Sequence, residues 1–246
     1  MHISIKAEPL FHIFGLPITN SLLVTWVVVV ALVLASYFVT RRLTRIPGKA
    51  QNIIETFFEL LLGLFDGVTG DRALTKKIFP LVATIFISVL AVNWTGLFPG
   101  VGTIGINEIG HEGTKLVPFL RAPSADLNFT LGLSLISVIM IQIWGIGALG
   151  IGKYSKKFIS FKNPLSFFIG ILELVSEFSK VISFSFRLFG NIFAGEVLLT
   201  VILSLTYYIV PVPFLMLELF VGLIQALVFS LLTAVFVTLA RQEAHE

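Results

Sequence analysis

Apolar residues fall in five blocks long enough to cross a bilayer, with polar residues gathered between them. The first block, 17–40, carries no charged residue and as a helix spans about 30 Å of hydrocarbon. It stops at Arg41, Arg42 and Arg45, followed by Pro47-Gly48-Lys49. From 51 to 68 the pattern changes. Ile53, Ile54, Phe57, Phe58, Leu61, Leu62 and Phe65 share one helical face, and Gln51, Glu55, Glu59 and Asp66 the other. That spacing predicts an amphipathic helix at the membrane interface or packed on a bundle. Blocks 77–100 and 127–151 predict two more crossing helices, the former containing Pro80 and Pro99. Between them, 99–126 reads as a Gly- and Pro-rich polar loop with Glu108, His111, Glu112, Lys115 and Arg121. A basic link (Lys153, Lys156, Lys157, Lys162) leads to the stretches 163–209 and 212–241, parted by Pro211-Val212-Pro213.

The fourth block is too long for a simple span. From Asn163 to Tyr208 a continuous helix measures about 69 Å at 1.5 Å per residue, against about 30 Å of hydrocarbon. Either it is broken or it lies steeply tilted, and a tilted helix against a protein partner is the expectation. The fold class is then an all-α membrane protein, one integral domain over 1–246. It has about five membrane-embedded helices plus the amphipathic helix, the last two forming a long, strongly tilted hairpin.

Composition agrees: 56% of residues are hydrophobic, 13% are charged and mean hydropathy is +0.98, too apolar for a soluble domain of this size. Zero cysteines exclude disulfide scaffolds and thiol chemistry. Met1-His2-Ile3-Ser4-Ile5-Lys6 shows no cleavable-signal pattern. Arg and Lys fix the orientation. With the N-terminus outside, the inner segments hold seven in 41–77, four in 153–162 and Arg241, whereas the outer ones hold Lys6, Lys115 and Arg121. The positive-inside rule places the N-terminus outside and the C-terminus in the cytoplasm, a parity that five crossings satisfy.

Against that apolar background Arg187 stands out. It lies in Ser183-Phe184-Ser185-Phe186-Arg187-Leu188-Phe189-Gly190-Asn191, far from both ends of its stretch. A guanidinium near a bilayer centre costs roughly 2.5–3.5 kcal/mol on insertion scales and cannot shed its proton. It must therefore meet a protein partner or a water-filled cavity, and the expectation is a place on an ion or proton path. A snorkelling arginine is the bland alternative, disfavoured by the depth.

At 100° per residue, Ser183 and Asn191 sit one turn either side of Arg187. Glu173 shares its direction within about 40° but lies toward the cytoplasmic end, and Glu177 sits near the same rim. Glu196 is about 180° around and toward the outer end, so an ion pair with Arg187 inside the helix is excluded. On the last helix Glu218 and Gln225 are seven apart and share a face. An antiparallel hairpin folded near 207 sets Gln225 opposite Arg187 and Glu218 opposite Glu196. Two facing acids do not both stay ionised, so they suit a shared proton and a relay. The bland readings are helix-end acids in the headgroups and amides that bond neighbouring helices. His12, His111 and His245 stand apart, so no metal or cofactor is expected.

These residues resemble subunit a of the F-type ATP synthase. The resemblance rests on Arg187-Leu188-Phe189-Gly190-Asn191 continued by Ile192-Phe193-Ala194-Gly195-Glu196, and on Gln225-Ala226-Leu227-Val228-Phe229. Support comes from Ile46-Pro47-Gly48 with Gln51-Asn52 and Glu55, from Asn93-Trp94-Thr95-Gly96-Leu97-Phe98-Pro99-Gly100, and from Pro123-Ser124-Ala125-Asp126-Leu127-Asn128. The arginine motif is highly specific, and the matches run in family order over nearly the whole chain.

The resemblance implies the stator half of a rotary proton motor in a bacterial plasma (inner) membrane. Its partners are the c-subunit ring, b-type peripheral stalk subunits, the rest of the F-type complex and membrane lipid, with no nucleic acid. Arg187 would attract the ring carboxylate that has just lost its proton and would block a leak between two offset half-channels. Glu196 and Glu218 would line the outer half-channel, Asn191 and Gln225 would flank the arginine, and Glu173 would border the cytoplasmic exit. In several family members a histidine occupies the place of Glu218. The subunit itself is expected to be non-catalytic, and the chain has no Gly-x-x-x-x-Gly-Lys loop for ATP.

Three other function classes compete, one of them a purely structural assembly subunit, against which Arg187 argues. A proton-coupled secondary transporter or channel without a rotor predicts inverted repeats, and none is visible. An intramembrane enzyme needs a nucleophile–base or metal-ligand set within the membrane, and none is visible either.

Overall fold

The computed structural model describes residues 8–13, 16–98, 101, 104–110, 113–158, 163–206 and 209–241. His111 and His245 lie outside them, as does the expected end of the fourth block at 207–208. The order is β1 (Pro9–Ile13), β2 (Leu16–Thr19), α1 (Asn20–Arg41), α2 (Lys49–Thr69), α3 (Arg72–Thr95), β3 (Gly105–Gly110) and β4 (Gly113–Pro118). A 3-10 turn (Pro123–Ala125) follows, then α4 (Leu127–Leu149), α5 (Ile151–Phe158), α6 (Pro164–Leu205) and α7 (Pro211–Ala240). Five of these helices (α1, α3, α4, α6, α7) are long and apolar enough to cross a membrane. The chain is an all-α membrane protein of the multi-pass kind.

Three elements were not foreseen. The polar loop contains an antiparallel hairpin, β3–β4, and a second hairpin, β1–β2, precedes α1. The basic link folds as the short helix α5.

Local chemistry sets the helix starts. Thr19 accepts from Leu22 N at 3.3 Å, Asp71 from Ala73 N at 2.8 Å and Asp126 from Asn128 N at 2.9 Å, each satisfying an amide that a helix start leaves open. Gly70 ends α2 at φ 66°, a left-handed conformation that glycine adopts without strain. α2 divides its apolar residues between two directions: Leu61 and Phe65 are buried against α3, whereas Ile53 and Leu60 face outward.

Lipid chains are as apolar as leucine, so burial alone does not hold such a bundle together; close packing and interhelical hydrogen bonds do. α3 packs chiefly on α7, and α4 on α6. Ile78, Val82, Phe86 and Val89 of α3 belong to one core with Ala226, Phe229 and Val237 of α7. Asn93 Nδ2 donates to Gly222 O at 3.0 Å, tying α3 to α7, and a 3.1 Å hydroxyl bond joins Thr130 of α4 to Ser185 of α6. Such bonds average about 0.6 kcal/mol each in membrane bundles.

α6 is one continuous helix of 42 residues, about 63 Å long. The unbroken alternative is the one realised, and a helix twice as long as the hydrocarbon is thick crosses it steeply tilted or leaves it. Its buried residues (Gly170, Glu177, Phe184, Ser185, Leu188, Ile192) follow one stripe, covered by the rest of the chain. The opposite side is open, with Phe178, Phe186 and Val201 exposed.

Candidate functional site

Arg187 is half-buried at the margin of that open face. Its Nη2 donates to Ser183 Oγ at 3.2 Å, one turn earlier on α6. Among the described residues no carboxylate comes within 4.0 Å of the guanidinium. The arginine closes one end of a cleft of about 240 Å³ lined by Ser176, Ser179, Lys180, Ser183 and Phe184 of α6 and by Leu232 and Phe236 of α7. Every α6 residue of that lining lies at Arg187 or on its N-terminal side.

Beyond Arg187 a second polar region begins. Asn191 Nδ2 donates to Gln225 Oε1 at 2.8 Å. Gln225 is 4% exposed, and its Nε2 is buried with no hydrogen-bond partner among the described residues. The register read from the sequence set Gln225 opposite Arg187; its oxygen instead meets Asn191, one turn farther on. Toward the other end of the pair Phe184 stacks on Phe229 at 4.8 Å, and Lys180 lies over the Phe236 ring at 4.7 Å.

Farther out, Glu218 packs across Gly195, the neighbour of Glu196. A Cβ on Gly195 would fall 2.7 Å from Glu218 Oε1, so the carboxyl occupies the space glycine leaves. One oxygen of each acid, Glu196 Oε2 and Glu218 Oε2, is buried without a hydrogen-bond partner among the described residues. Glu196 Oε1 lies 4.0 Å from Arg121 Nε, and Arg121 is 6% exposed. Two acids and one buried arginine therefore share this region.

Arg121 is the residue that sequence reasoning missed here, having counted it as a loop charge. Its position is built by the 3-10 turn: Nη2 donates to Ala125 O at 3.3 Å, and Ser124 Oγ donates to Asn93 Oδ1 at 2.6 Å. Asn93 and Trp94 in turn donate to Gly222 O at 3.0 Å and Leu219 O at 3.2 Å, bracketing the turn of α7 that follows Glu218. Proximity of Arg121 to a conspicuous Pro-Ser-Ala-Asp cap was the available signal.

The two acids on the N-terminal side of Arg187 both have partners. Glu173 pairs with Lys157 Nζ at 2.7 Å, joining α6 to α5. Glu177, 9% exposed, receives Lys180 Nζ at 2.6 Å on one oxygen and Gln142 Nε2 at 2.7 Å on the other. Tyr154 donates its hydroxyl to Gln142 Oε1. Burial, then the charges of Glu177 and Glu173, pushes the Tyr154 phenol up to about 12. It therefore stays a donor below pH 10 and loses that bond only as pH rises through about 12. Among the described residues no three His, Cys, Asp or Glu side chains gather to hold a metal ion.

A family model described as ATP synthase A chain matches residues 22–238. The chain belongs to the ATP synthase A chain family. It is 30% identical over 233 residues to the ATP synthase subunit a of Moorella thermoacetica, covering 95% of each chain. It is 36% identical over 218 residues to that of Gloeobacter violaceus, covering 89% of this chain and 82% of the relative. With that of Desulfotalea psychrophila it shares 35% over 228 residues, 90% of this chain and 84% of the relative. Arg187, the Asn191–Gln225 pair, Glu196 and Glu218 all lie inside the matched region.

Proposed function

We propose that this chain is the stator subunit of a rotary F-type ATP synthase, passing protons to and from a ring of c subunits through two offset half-channels. The carrying observation is Arg187: a charge whose partner among the described residues is a serine, on an open helix face, between two polar regions. An anion is needed to meet it, and among the described residues the chain brings none within reach. A carboxylate on each passing ring subunit supplies one.

In this reading the outer half-channel runs past Arg121, Glu196 and Glu218 toward Asn191 and Gln225. A proton entering from outside rests on the Glu196–Glu218 pair and passes to the ring carboxylate that Arg187 has just released. The cytoplasmic half-channel is the serine-lined cleft, where the ring carboxylate gives up its proton on returning to Arg187. Glu173 stands at its mouth, beside Lys157. The fixed cation between the two repels a proton that would cross directly. A potential of 100 mV contributes about 2.3 kcal/mol per proton, so several protons pass for each ATP. The chemistry on ATP belongs to other subunits, and b-type stalk subunits hold this one against rotation.

Family membership argues against a free-standing transporter, and the excess of basic residues at 41–77 and 153–162 supports an N-terminus outside a bacterial plasma membrane. Cysteine cross-linking tests the arrangement: Ser183→Cys and Asn191→Cys should each form disulfides with cysteines placed beside the ring carboxylate. Cross-links confined to exposed α1 positions such as Val30 would contradict it.

A further inference from the structure

Glu177 is a buried acid for which the proton path just described has no use. It is nine-tenths covered and fixed on both oxygens, by Lys180 at 2.6 Å and by Gln142 at 2.7 Å. Gln142 is itself held by Tyr154, and Tyr154 is seated against Gly145, where a Cβ would fall 2.5 Å from its ring. Three helices, α4, α5 and α6, thus converge on one carboxylate. The cation it faces lines the cleft: Lys180 shares the lining with Ser176, Ser179, Ser183 and Arg187, and lies over the Phe236 ring at 4.7 Å. Lys180 and Arg187 are seven residues apart on one face, about 10 Å along the axis.

A narrow passage with two uncompensated cations would repel any proton entering it, because a cleft with low-dielectric walls focuses the field of its charges. Arg187 must remain available to a partner anion. Lys180 must therefore be neutralised from within the chain. We propose that Glu177 is a fixed counter-charge that cancels Lys180 and so keeps the cytoplasmic cleft passable to protons. It is a positioning residue: Lys180 and Gln142 each donate to one of its oxygens, and its part is the charge it sets beside Lys180. The inference rests on reading the cleft as the cytoplasmic half-channel. It adds what that reading lacks: a reason for a buried ion pair braced from α4 and α5.

The test is potential-driven proton flux through the membrane sector of the purified complex in vesicles, after removal of the ATP-hydrolysing sector, normalised to assembled complex. Glu177→Gln keeps the shape and the bond to Gln142 but strips the charge, and should slow flux about tenfold. Adding Lys180→Gln to it should restore flux to within about threefold of wild type, a rescue that a packing defect would not show. Tyr154→Phe loosens the brace with both charges intact and should also stay within about threefold. Wild-type flux in Glu177→Gln, or a double variant as slow as the single one, overturns the proposal. So does a tenfold loss in Tyr154→Phe, which would mean that the network acts through packing; where Glu177→Gln alone fails to assemble, the double variant decides, since slow flux there overturns the proposal. Arg187→Ala, measured alongside for ATP-driven pumping, keeps the two readings apart: normal pumping there sinks the half-channel reading itself, whereas lost pumping with unaffected Glu177→Gln sinks the counter-charge alone.

Discussion

The two polar regions on either side of Arg187 solve opposite problems. The one C-terminal to Arg187 on α6 gathers two acids, Glu196 and Glu218, around one buried arginine, Arg121, and leaves an oxygen of each acid without a hydrogen bond among the described residues. The one N-terminal to Arg187 pairs its charges, Glu177 with Lys180 and Glu173 with Lys157, and lines the way to Arg187 with serines. Unsatisfied carboxyl oxygens suit a place where a proton is to be taken up and passed on; closed ion pairs suit a place through which it merely leaves. The lesson is that burial of a charge does not itself mark a relay. The number of its lone pairs already occupied decides which role it can play.

Removing the outer acid should break this contrast most deeply. Glu218→Gln keeps the shape over Gly195 but exchanges no proton, so potential-driven flux should drop about a hundredfold, the lower end of the about 10²–10⁴ range a positioned proton donor or acceptor contributes. The response of the remaining flux to outer pH should flatten. An unchanged pH–rate profile would place the uptake step elsewhere. Next in size is Gly195→Val, whose branched side chain would occupy the position 2.7 Å from Glu218 Oε1. Flux should fall severalfold with assembly intact, and Glu218→Asp in the same chain, shorter but still a carboxylate, should recover part of it by making room. A smaller effect is expected for Asn93→Ala, which removes one hydrogen bond to Gly222 O and strands the Ser124 hydroxyl. Thermal stability of the complex should fall by about 0.5–1.5 kcal/mol, with little change in flux. A large flux loss there would make α3 part of the path.

Much of this was open to sequence reasoning because membrane helices announce themselves by length. The charge-free runs ending at Arg41, or lying between Asp126 and Lys153, leave little choice of element, and the excess length of the stretch carrying Arg187 fixed α6 as exceptional. Arg187 was legible for the same reason: no other charge sits so deep in so long an apolar run. Contacts between distant segments were not legible. Arg121 meets Glu196 across 75 positions, and neither periodicity nor spacing reports such a pair. Glu177 read as a rim acid because helical projection gives direction and depth but not what covers a face; Gln142 and Tyr154 cover it from α4 and α5. Helix α5 itself was hidden by its lysines, which lower its hydropathy while its Tyr154 is buried at 4% exposure. The hairpin β3–β4 was hidden by its own glycines, which read as turn residues throughout.

The central claim is that Arg187 divides two dead-end paths and works only against a moving anion. Its most direct test compares wild type with Arg187→Ala in vesicles holding the intact complex, measuring both ATP-driven pumping and passive flux under an imposed potential. The account predicts that the variant assembles in normal amount and loses ATP-driven pumping. A complex that pumps normally without the guanidinium would show Arg187 to be structural and would contradict the account.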